Sequence, residues 1–177
     1  MRTAYDRALA FTQQADIEGE FSDHPLDRGG PTMRGITQKL YDAWRANNKL
    51  PRRDVRFITA DEIYALPRDE FWMPCGCDSL PDDLAIAVFD MAFNSSPWQA
   101  KRTLQRALGF KGRDVDGVIG VRTIAAANST RDAVKRFLIA RGGFYQEVIL
   151  TRPDQVEFLE GWIKRLILLA IYTKGAK

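Results

Sequence analysis

The sequence is poor in the residues that build disulfides and metal sites. It holds two cysteines, Cys75 and Cys77, and a single histidine, His24. One residue separates the cysteines, so a disulfide between them would be strained, and the chain offers no other cysteine as a partner. Reduced thiols are therefore expected, as in a protein folded in a cytosol. A zinc site needs more ligands than one distant histidine adds, so we expect no metal.

Long apolar runs are also absent. The longest, LILLAIY at residues 166–172, is too short to cross a bilayer. The first residues, MRTAYDRALAFTQQADI, carry acids and glutamines where a signal peptide has its apolar core. We therefore expect a soluble protein made in the cytoplasm. The net charge of +3 is a weak indication of anionic partners.

Helical spacing of apolar residues dominates what is present. Seven or eight helices are expected, with Thr37 and Thr59 as amino-terminal caps, Pro67 ending one helix and Gly109 following another. Residues 21–36 are rich in Ser, Asp, Pro and Gly, so a loop or small β-hairpin follows the first helix. The pattern predicts a mainly α fold with minor β.

The most apolar of the expected helices is PDDLAIAVFDMAF, from Pro81 to Phe93. A helix that is apolar on most sides is buried on most sides, so we expect it at the centre of the core. Asp90 lies within it and needs a partner, because an unpaired buried charge is costly. An arginine could supply that partner, or Asp90 could support the functional site.

Two acids stand where the first helix is expected to end. The segment IEGEFSDHPLDRGGPTMRGIT starts at residue 17 and places Glu18 and Glu20 on either side of Gly19. A carboxylate there faces the negative end of the helix dipole, and apolar neighbours can exclude water. Both effects are expected to raise the pKa of Glu18. A carboxyl group that stays protonated can donate its proton to a glycosidic oxygen.

Glycoside cleavage usually needs a second carboxylate across the scissile bond. Asp27 follows nine residues after Glu18, in a segment whose glycines allow a sharp return of the chain, and the hydroxyl of Thr32 could hold the attacking water. The alternative is structural. Acids beside a glycine are often solvated helix-end residues, and Asp-Arg-Gly-Gly is a common turn composition.

The segment EGEFSDHPLDRGGPTMRGIT resembles glycoside hydrolase family 108, phage-type endolysins with N-acetylmuramidase activity. The family typically has Glu-Gly-Gly-aromatic, then Asp, Gly-Gly, Thr and Gly-Ile-Thr at these offsets. EFWMPCGCDSLPDDLAIAVFDMAFNSSP continues the similarity, and LQRALGFKGRDVDGVIGVRT resembles the family's carboxyl-terminal peptidoglycan-binding region. The resemblance covers most of residues 10–165. It implies a single lysozyme-like domain over residues 1–177, with a catalytic part at 10–95 and a helical, peptidoglycan-binding part at 96–177.

Carried over residue by residue, the resemblance implies Glu18 as the catalytic acid. The order Glu, Asp, Thr also resembles the phage-lysozyme triad, which implies roles for Asp27 and Thr32. That pattern usually has one more residue between Asp and Thr, so Thr37 is an alternative for the threonine. Glu20 departs from the family, which usually has glycine there; its carboxylate either tunes the pKa of Glu18 or points into solvent.

Further residues are candidates for substrate binding. Asn94 could hydrogen-bond a sugar or simply end its helix, and Trp72 could stack on a sugar or belong to the core. DVDGVIGVRT at residues 114–123 could bind peptidoglycan or be a pair of glycine turns with Val118 and Ile119 in the core. The basic, apolar carboxyl-terminal helix could contact an anionic membrane or pack on the domain.

The predicted function is hydrolysis of the β-1,4 bond between N-acetylmuramic acid and N-acetylglucosamine, by an endolysin that lyses its host. No cofactor is required. We expect peptidoglycan as the partner, no nucleic acid and a monomer, held in the host cytoplasm until released to the periplasmic wall. The alternatives are a lytic transglycosylase, a chitinase, and a non-catalytic wall-binding or virion module.

Overall fold

The computed structural model of the protein describes residues 2–14, 21–22 and 30–174. Within these residues the mainly α fold with a small sheet after the first helix is confirmed. The helices are α1 (Ala4–Thr12), α2 (Gln38–Asn47), α3 (Ala60–Pro67), α4 (Asp82–Asn94), α5 (Pro97–Ala107), α6 (Val121–Ser129), α7 (Ala133–Thr151) and α8 (Leu159–Lys174); the strands are β1 (Phe21–Ser22), β2 (Thr32–Met33) and β3 (Ile36–Thr37).

The chain forms two compact units. The small unit is Leu9–Glu70, and the large unit combines Met1–Ala8 with Phe71–Lys177. The small unit therefore contains the sheet, α2 and α3, whereas α4 to α8 belong to the large unit. The resemblance to family 108 implies a different boundary, at residue 96, between the catalytic part and the peptidoglycan-binding part. That boundary stays a prediction.

The sheet of the small unit is antiparallel, with strand order β1-β2-β3. Only Arg34 and Gly35 join β2 to β3, with φ values of 50° and 77°. Positive φ at both central residues is the geometry of a type I′ turn, whose twist suits two closely paired strands. Gly35 adopts it without steric cost, which explains a glycine at this position.

Both predicted helix caps of the small unit are confirmed. The Thr37 hydroxyl accepts a bond from the Leu40 N–H and starts α2, and Thr59 forms a capping box with Glu62 at the start of α3. The α-helical part of α3 ends at Pro67, as predicted, because proline supplies no N–H to the helix ladder. A π-helical turn, Arg68–Trp72, follows.

Glu62 also holds two arginines of the small unit. Its carboxylate accepts bonds from the Tyr41 hydroxyl at 2.7 Å and from Arg53 at 3.0 Å, and it pairs with Arg45. Burial raises the pKa of Glu62, but hydrogen bonds from Thr59 and Tyr41 and the charge of Arg45 outweigh it and leave the pKa below its usual value. The carboxylate is therefore ionised at neutral pH and ties α2 to α3.

Helix α4 is the centre of the large unit, as its composition predicts. Every residue from Leu84 to Ala92 is buried, and the helix packs against α5, α7 and α8. Burying one large aliphatic or aromatic side chain contributes about 1.5–3 kcal/mol, so this run is a major source of the unit's stability.

Asp90 on α4 finds the arginine partners that its burial requires. Its Oδ2 accepts a bond from Arg141 on α7 at 2.5 Å, and its Oδ1 accepts one from Arg165 on α8 at 2.8 Å. Burial alone raises the pKa of Asp90, but the two guanidinium groups outweigh it and hold the pKa below its usual value. One carboxylate therefore joins three helices in the core.

Cys75 and Cys77 are free and buried in the large unit. Burial and the neighbouring Cys75 raise the pKa of the Cys77 thiol well above its usual value. Both thiols therefore behave as small core side chains. No group of potential metal ligands occurs among the described residues.

Helix α8 has one packed face and one exposed face. Arg165, Leu169 and Thr173 are buried, whereas Ile163, Ile167 and Ile171 are 45%, 55% and 62% exposed. The spacing of four residues places the three isoleucines in one stripe. In the part of the chain that the structure describes, no helix has the length and apolar character needed to cross a membrane.

Candidate functional site

The two predicted catalytic acids, Glu18 and Asp27, lie outside the described residues, and so does Glu20. Their roles stay predictions. The candidate residues that the structure describes are considered unit by unit: Thr32 and Thr37 in the small unit, and Asn94 in the large unit.

A row of hydroxyl side chains crosses the small sheet. The register pairs Thr32 with Ser22 on one side and with Thr37 on the other. Directly paired residues of antiparallel strands project to the same face, with Cβ atoms about 4.5–5.5 Å apart. The two threonines that the sequence offered as alternatives are therefore neighbours on one face.

The two threonines use their hydroxyl groups differently. Thr32 Oγ1 donates to the Gly30 carbonyl at 3.1 Å, whereas Thr37 Oγ1 accepts from the Leu40 N–H at 3.2 Å. A hydroxyl has one hydrogen to donate and two lone pairs. Among the described residues, the Thr37 hydroxyl thus has no acceptor and can donate to a water or sugar oxygen, whereas the Thr32 hydroxyl donates to the backbone.

Asn94, the last residue of α4, lines a groove of about 440 Å³ in the large unit. We call it the Asn94 groove. Its wall combines amides, hydroxyls, an acid, a guanidinium group and aromatic rings. The lining residues are Asn94, Ser95, Gln99, Phe144, Tyr145, Glu147, Val148, Thr151, Arg152, Gln155 and Trp162.

Several polar side chains of this groove are available to a ligand. Within the described residues, no hydrogen bond holds the side chains of Asn94, Gln99, Glu147 or Arg152. Pockets of about 300–1,000 Å³ with a few polar groups are typical of small-ligand sites. The Asn94 groove has the size and the donors and acceptors to bind part of a saccharide.

Most residues of the Asn94 groove could not be predicted from the sequence. Glu147 and Arg152 come from the end of α7 and its boundary, more than fifty residues after Asn94, and Gln155 comes from the 3₁₀ turn Pro153–Phe158. No local motif connects these residues to Asn94. Only the packing of α7 near α4 brings them together.

Trp72 does not lie at a surface. Its side chain is 1% exposed, its indole N–H donates to Asp78 Oδ1 at 2.7 Å, and its ring contacts Tyr5 and Phe89 edge-on. A sugar stacks only on an accessible ring face, so this burial argues against the predicted substrate-binding role. Trp72 fits the alternative of a core aromatic residue.

The glycine-rich segment 114–123 forms a loop up to Gly120, where α6 follows. Gln105 on α5 holds this loop in place. The Gln105 side chain, 1% exposed, donates to Asp116 Oδ1 at 2.7 Å and accepts from the Gly117 N–H at 2.8 Å. The expectation that Val118 lies in the core is wrong, because its side chain is 63% exposed. Val115 is buried instead, since the positive φ of Gly117 turns the chain between them.

Two family models match successive parts of the chain. Residues 11–96 match the model of Glycosyl hydrolase 108. The chain therefore contains a domain of this family. Residues 99–167 match a second model, a Predicted Peptidoglycan domain. The family and the carboxyl-terminal region predicted from the sequence are both confirmed.

A solved structure supports the same fold. The structure of SagA from Brucella abortus is similar, with 27% sequence identity and a TM-score of 0.78, over 97% of this chain and 94% of that one. Among curated protein sequences, none matches.

The family 108 domain makes the protein a glycoside hydrolase that acts on peptidoglycan. The hydroxyl row and Asn94 both belong to the hydrolase match, whereas Glu147, Arg152 and the loop held by Gln105 belong to the peptidoglycan match. The Asn94 groove is therefore built by residues from both matches.

Proposed function

We propose that the protein is an endolysin-type muramidase that hydrolyses the β-1,4 bond between N-acetylmuramic acid and N-acetylglucosamine. The observation that carries the proposal is the family 108 match over residues 11–96, which contains Glu18, Asp27 and both threonines. The second match, to a peptidoglycan domain, agrees with this polymer as the substrate.

In the proposed reaction, Glu18 protonates the glycosidic oxygen as the bond from the muramic acid C1 to that oxygen breaks. Asp27 orients or deprotonates a water molecule, whose oxygen forms the new bond to C1. The leaving sugar keeps the proton from Glu18. The products are two shorter glycan strands, one of which ends in a reducing muramic acid.

The hydroxyl row gives the catalytic water a place beside the sheet. Thr32 and Thr37 are paired across β2 and β3, so a water bound by one lies within reach of the other. We propose that Thr32, whose hydrogen goes to the Gly30 carbonyl, orients this water by accepting a hydrogen bond from it, and that Thr37 contributes to substrate binding by donating to a sugar oxygen. Thr32→Val would then lower kcat, whereas Thr32→Ser, which retains the hydroxyl, would restore most of it.

We also propose that the Asn94 groove binds the saccharide. Its three amides can donate to and accept from N-acetyl groups and hydroxyls, and pairing with the substrate would satisfy side chains that have no partner in the described structure. Asn94→Ala is expected to raise KM for glycan fragments more than it lowers kcat. If Asn94→Ala has the same kcat and KM as the wild type, the Asn94 groove does not bind the saccharide.

The test of the whole proposal compares Glu18→Gln with Glu20→Gln on purified peptidoglycan. The glutamine at 18 cannot donate a carboxylic acid proton, so activity should fall by at least about a hundredfold, the usual contribution of general acid catalysis. The control at 20 should keep most activity if its carboxylate faces solvent. If Glu18→Gln clears peptidoglycan as well as the wild type does, Glu18 is not the catalytic acid.

Product analysis separates hydrolysis from its alternatives. Mass spectrometry should detect reducing muramic acid ends that carry one added water. Anhydro ends would instead identify a lytic transglycosylase, and binding without any cleavage would identify a wall-binding module.

The exposed stripe of α8 supports a second role, contact with an anionic membrane. Ile163, Ile167 and Ile171 form an apolar face, with exposed Lys164 beside them. An apolar face flanked by cations suits a headgroup interface. Ile167→Asn should lower co-sedimentation with vesicles containing phosphatidylglycerol; binding that is equal to the wild type would exclude this contact. In the proposed life cycle, the protein stays in the host cytoplasm until it is released to the periplasmic wall, and its cleavage of that wall lyses the host.

A further inference from the structure

Trp98 differs from the other tryptophans of the chain because its ring lies at the surface. Its side chain is 54% exposed, whereas Trp44 and Trp72 are 6% and 1% exposed and Trp162 is partly buried between aromatic neighbours. A large exposed aromatic residue is a common component of binding surfaces.

The ring of Trp98 is held in place although it is exposed. The guanidinium group of Arg102, one turn later on α5, lies 4.5 Å from the ring centroid. Gly117 lies against the same two side chains: a Cβ at that position would stand 3.5 Å from Arg102 Cγ and 3.7 Å from Trp98 Cδ1. The ring therefore loses little conformational entropy when a ligand stacks on it.

The loop beside Trp98 is equally well fixed. Gln105 donates to the Val118 carbonyl at 3.1 Å as well as binding Asp116 and Gly117, and Asp116 accepts from the Val118 N–H at 2.8 Å. These bonds orient the backbone so that the Val118 side chain projects outward. Val121, at the start of α6, is 85% exposed. A rigid loop thus presents apolar side chains to solvent.

A second arginine–aromatic pair belongs to the same surface. Arg122 lies 5.6 Å from the centroid of the Phe110 ring. Both residues line a cavity of about 240 Å³, whose wall also includes Val118, Val121 and the acids Asp114 and Asp116. Trp98, Arg102, Phe110, Val118, Val121 and Arg122 define what we call the Trp98 surface.

Charge identifies the kind of ligand that suits the Trp98 surface. Residues 98–123 contain six basic and two acidic side chains, a net charge of +4, whereas the whole chain has +3. Arg102 has no ion-pair partner among the described residues. Arg122 lies 3.4 Å from Asp114, but both side chains are exposed, and so weak a pair can give way to a ligand carboxylate. A polymer with sugar rings and carboxylates complements such a surface, because rings stack on indole and carboxylates bind guanidinium groups.

We propose that the Trp98 surface is a second peptidoglycan-binding site, separate from the Asn94 groove, on which Trp98 stacks against a pyranose of the glycan strand. Arg102 and Arg122 pair with carboxylates carried by that strand. The proposal rests on peptidoglycan as the substrate and on the match of residues 99–167 to a peptidoglycan domain. It does not depend on the role of Glu18.

The binding experiment uses the full chain with Glu18→Gln, so that the polymer stays intact, and measures co-sedimentation with purified sacculi. Trp98→Ala should weaken binding by about fivefold to tenfold, the loss expected for one aromatic stack. Trp98→Phe should restore most of the affinity. Phe57→Ala is the matched control, since Phe57 is an aromatic residue that is 68% exposed in the small unit, and it should not change binding.

Further variants and substrates separate stacking from charge and from folding. Arg102→Gln should weaken binding and reduce its dependence on salt. Glycan strands stripped of their peptides by an amidase should still distinguish Trp98→Ala from the wild type; loss of that difference would assign the contact to the peptide and overturn the glycan assignment. Equal thermal unfolding of the variants shows that the fold is intact.

The activity arm distinguishes this proposal from the proposed function. With Glu18 present, Trp98→Ala should raise KM on sacculi and leave the turnover of a short soluble glycan fragment unchanged. If Trp98→Ala loses the same activity on sacculi and on the short fragment, the Trp98 surface is not a separate binding site. The same conclusion follows if Trp98→Ala binds sacculi as well as Phe57→Ala does. Failure of Glu18→Gln to abolish cleavage would overturn the catalytic assignment. The comparison of Trp98→Ala with Phe57→Ala would still test the Trp98 surface, because both variants carry the same Glu18→Gln background and the same residual cleavage.

Discussion

The large and the small unit each use one carboxylate to hold two arginines, but they expose these groups to water very differently. In the large unit, the side chains of Asp90, Arg141 and Arg165 are 1%, 0% and 7% exposed. In the small unit, those of Glu62 and Arg45 are 12% and 3% exposed, whereas that of Arg53 is 39% exposed.

The difference in burial changes what each cluster contributes. In the large unit, each charged group depends on the others, because water cannot replace a lost partner. In the small unit, Arg53 can turn to solvent and Glu62 has neutral partners in Tyr41 and Thr59. The Asp90 cluster is therefore needed for the large unit to fold, whereas the Glu62 cluster makes a smaller contribution to the stability of the small unit.

The largest expected effect is that of Asp90→Asn. Removing this charge leaves Arg141 buried without its ion-pair partner, which typically costs about 3–5 kcal/mol. Urea unfolding measures the change in the free energy of unfolding, with Asp61→Asn, at an exposed position of α3, as the control. A loss below about 1 kcal/mol would show that the buried cluster tolerates an uncompensated cation.

Glu62→Gln should destabilise less. Glutamine retains the size of glutamate and can still accept bonds from Tyr41 and Thr59, so the cost is that of hydrogen bonds to a charged group, about 1.5–3 kcal/mol. Hydrogen exchange should show faster exchange in α2 and α3, with α4 unchanged. Faster exchange in α4 as well would mean that the two units unfold together.

Acid should weaken both clusters. The folded-state pKa values of Asp90 and Glu62 lie below their unfolded values, so the stabilisation is complete above about pH 5 and is lost as the pH falls through the folded values. The free energy of unfolding should therefore decrease below about pH 4. Asp90→Asn and Glu62→Gln should each make that decrease shallower; an unchanged slope in both variants would contradict the depressed pKa values.

The smallest effect should come from Arg53→Met. The Arg53 side chain is 39% exposed, and an ion pair whose cation is accessible to water contributes about 0–1 kcal/mol. Arg45→Met removes a buried partner of the same carboxylate and should cost clearly more. Thermal unfolding of the two variants gives the comparison directly, and equal losses would show that burial does not determine the strength of these pairs.

Much of the fold follows from local sequence. The apolar run of α4 predicts its central position, Thr37 and Thr59 predict two helix starts, and Pro67 predicts a helix end, because each acts through nearby backbone or a single face. The catalytic assignment of Glu18 comes from a local pattern too, and it stays a prediction. Trp72 and Val118 were harder to interpret, since exposure depends on segments distant in the chain.

The sequence alone determined the helical elements, the family and the need of Asp90 for a partner, because spacing, caps and an unpaired charge act within one segment. Only the tertiary structure decided which arginines meet Asp90, since Arg141 and Arg165 come from different helices. It alone brought Glu147 and Arg152 to Asn94, paired Thr32 with Thr37, and left Trp98 exposed while it buried Trp72. Those outcomes depend on contacts between residues far apart in the chain, which no local pattern encodes.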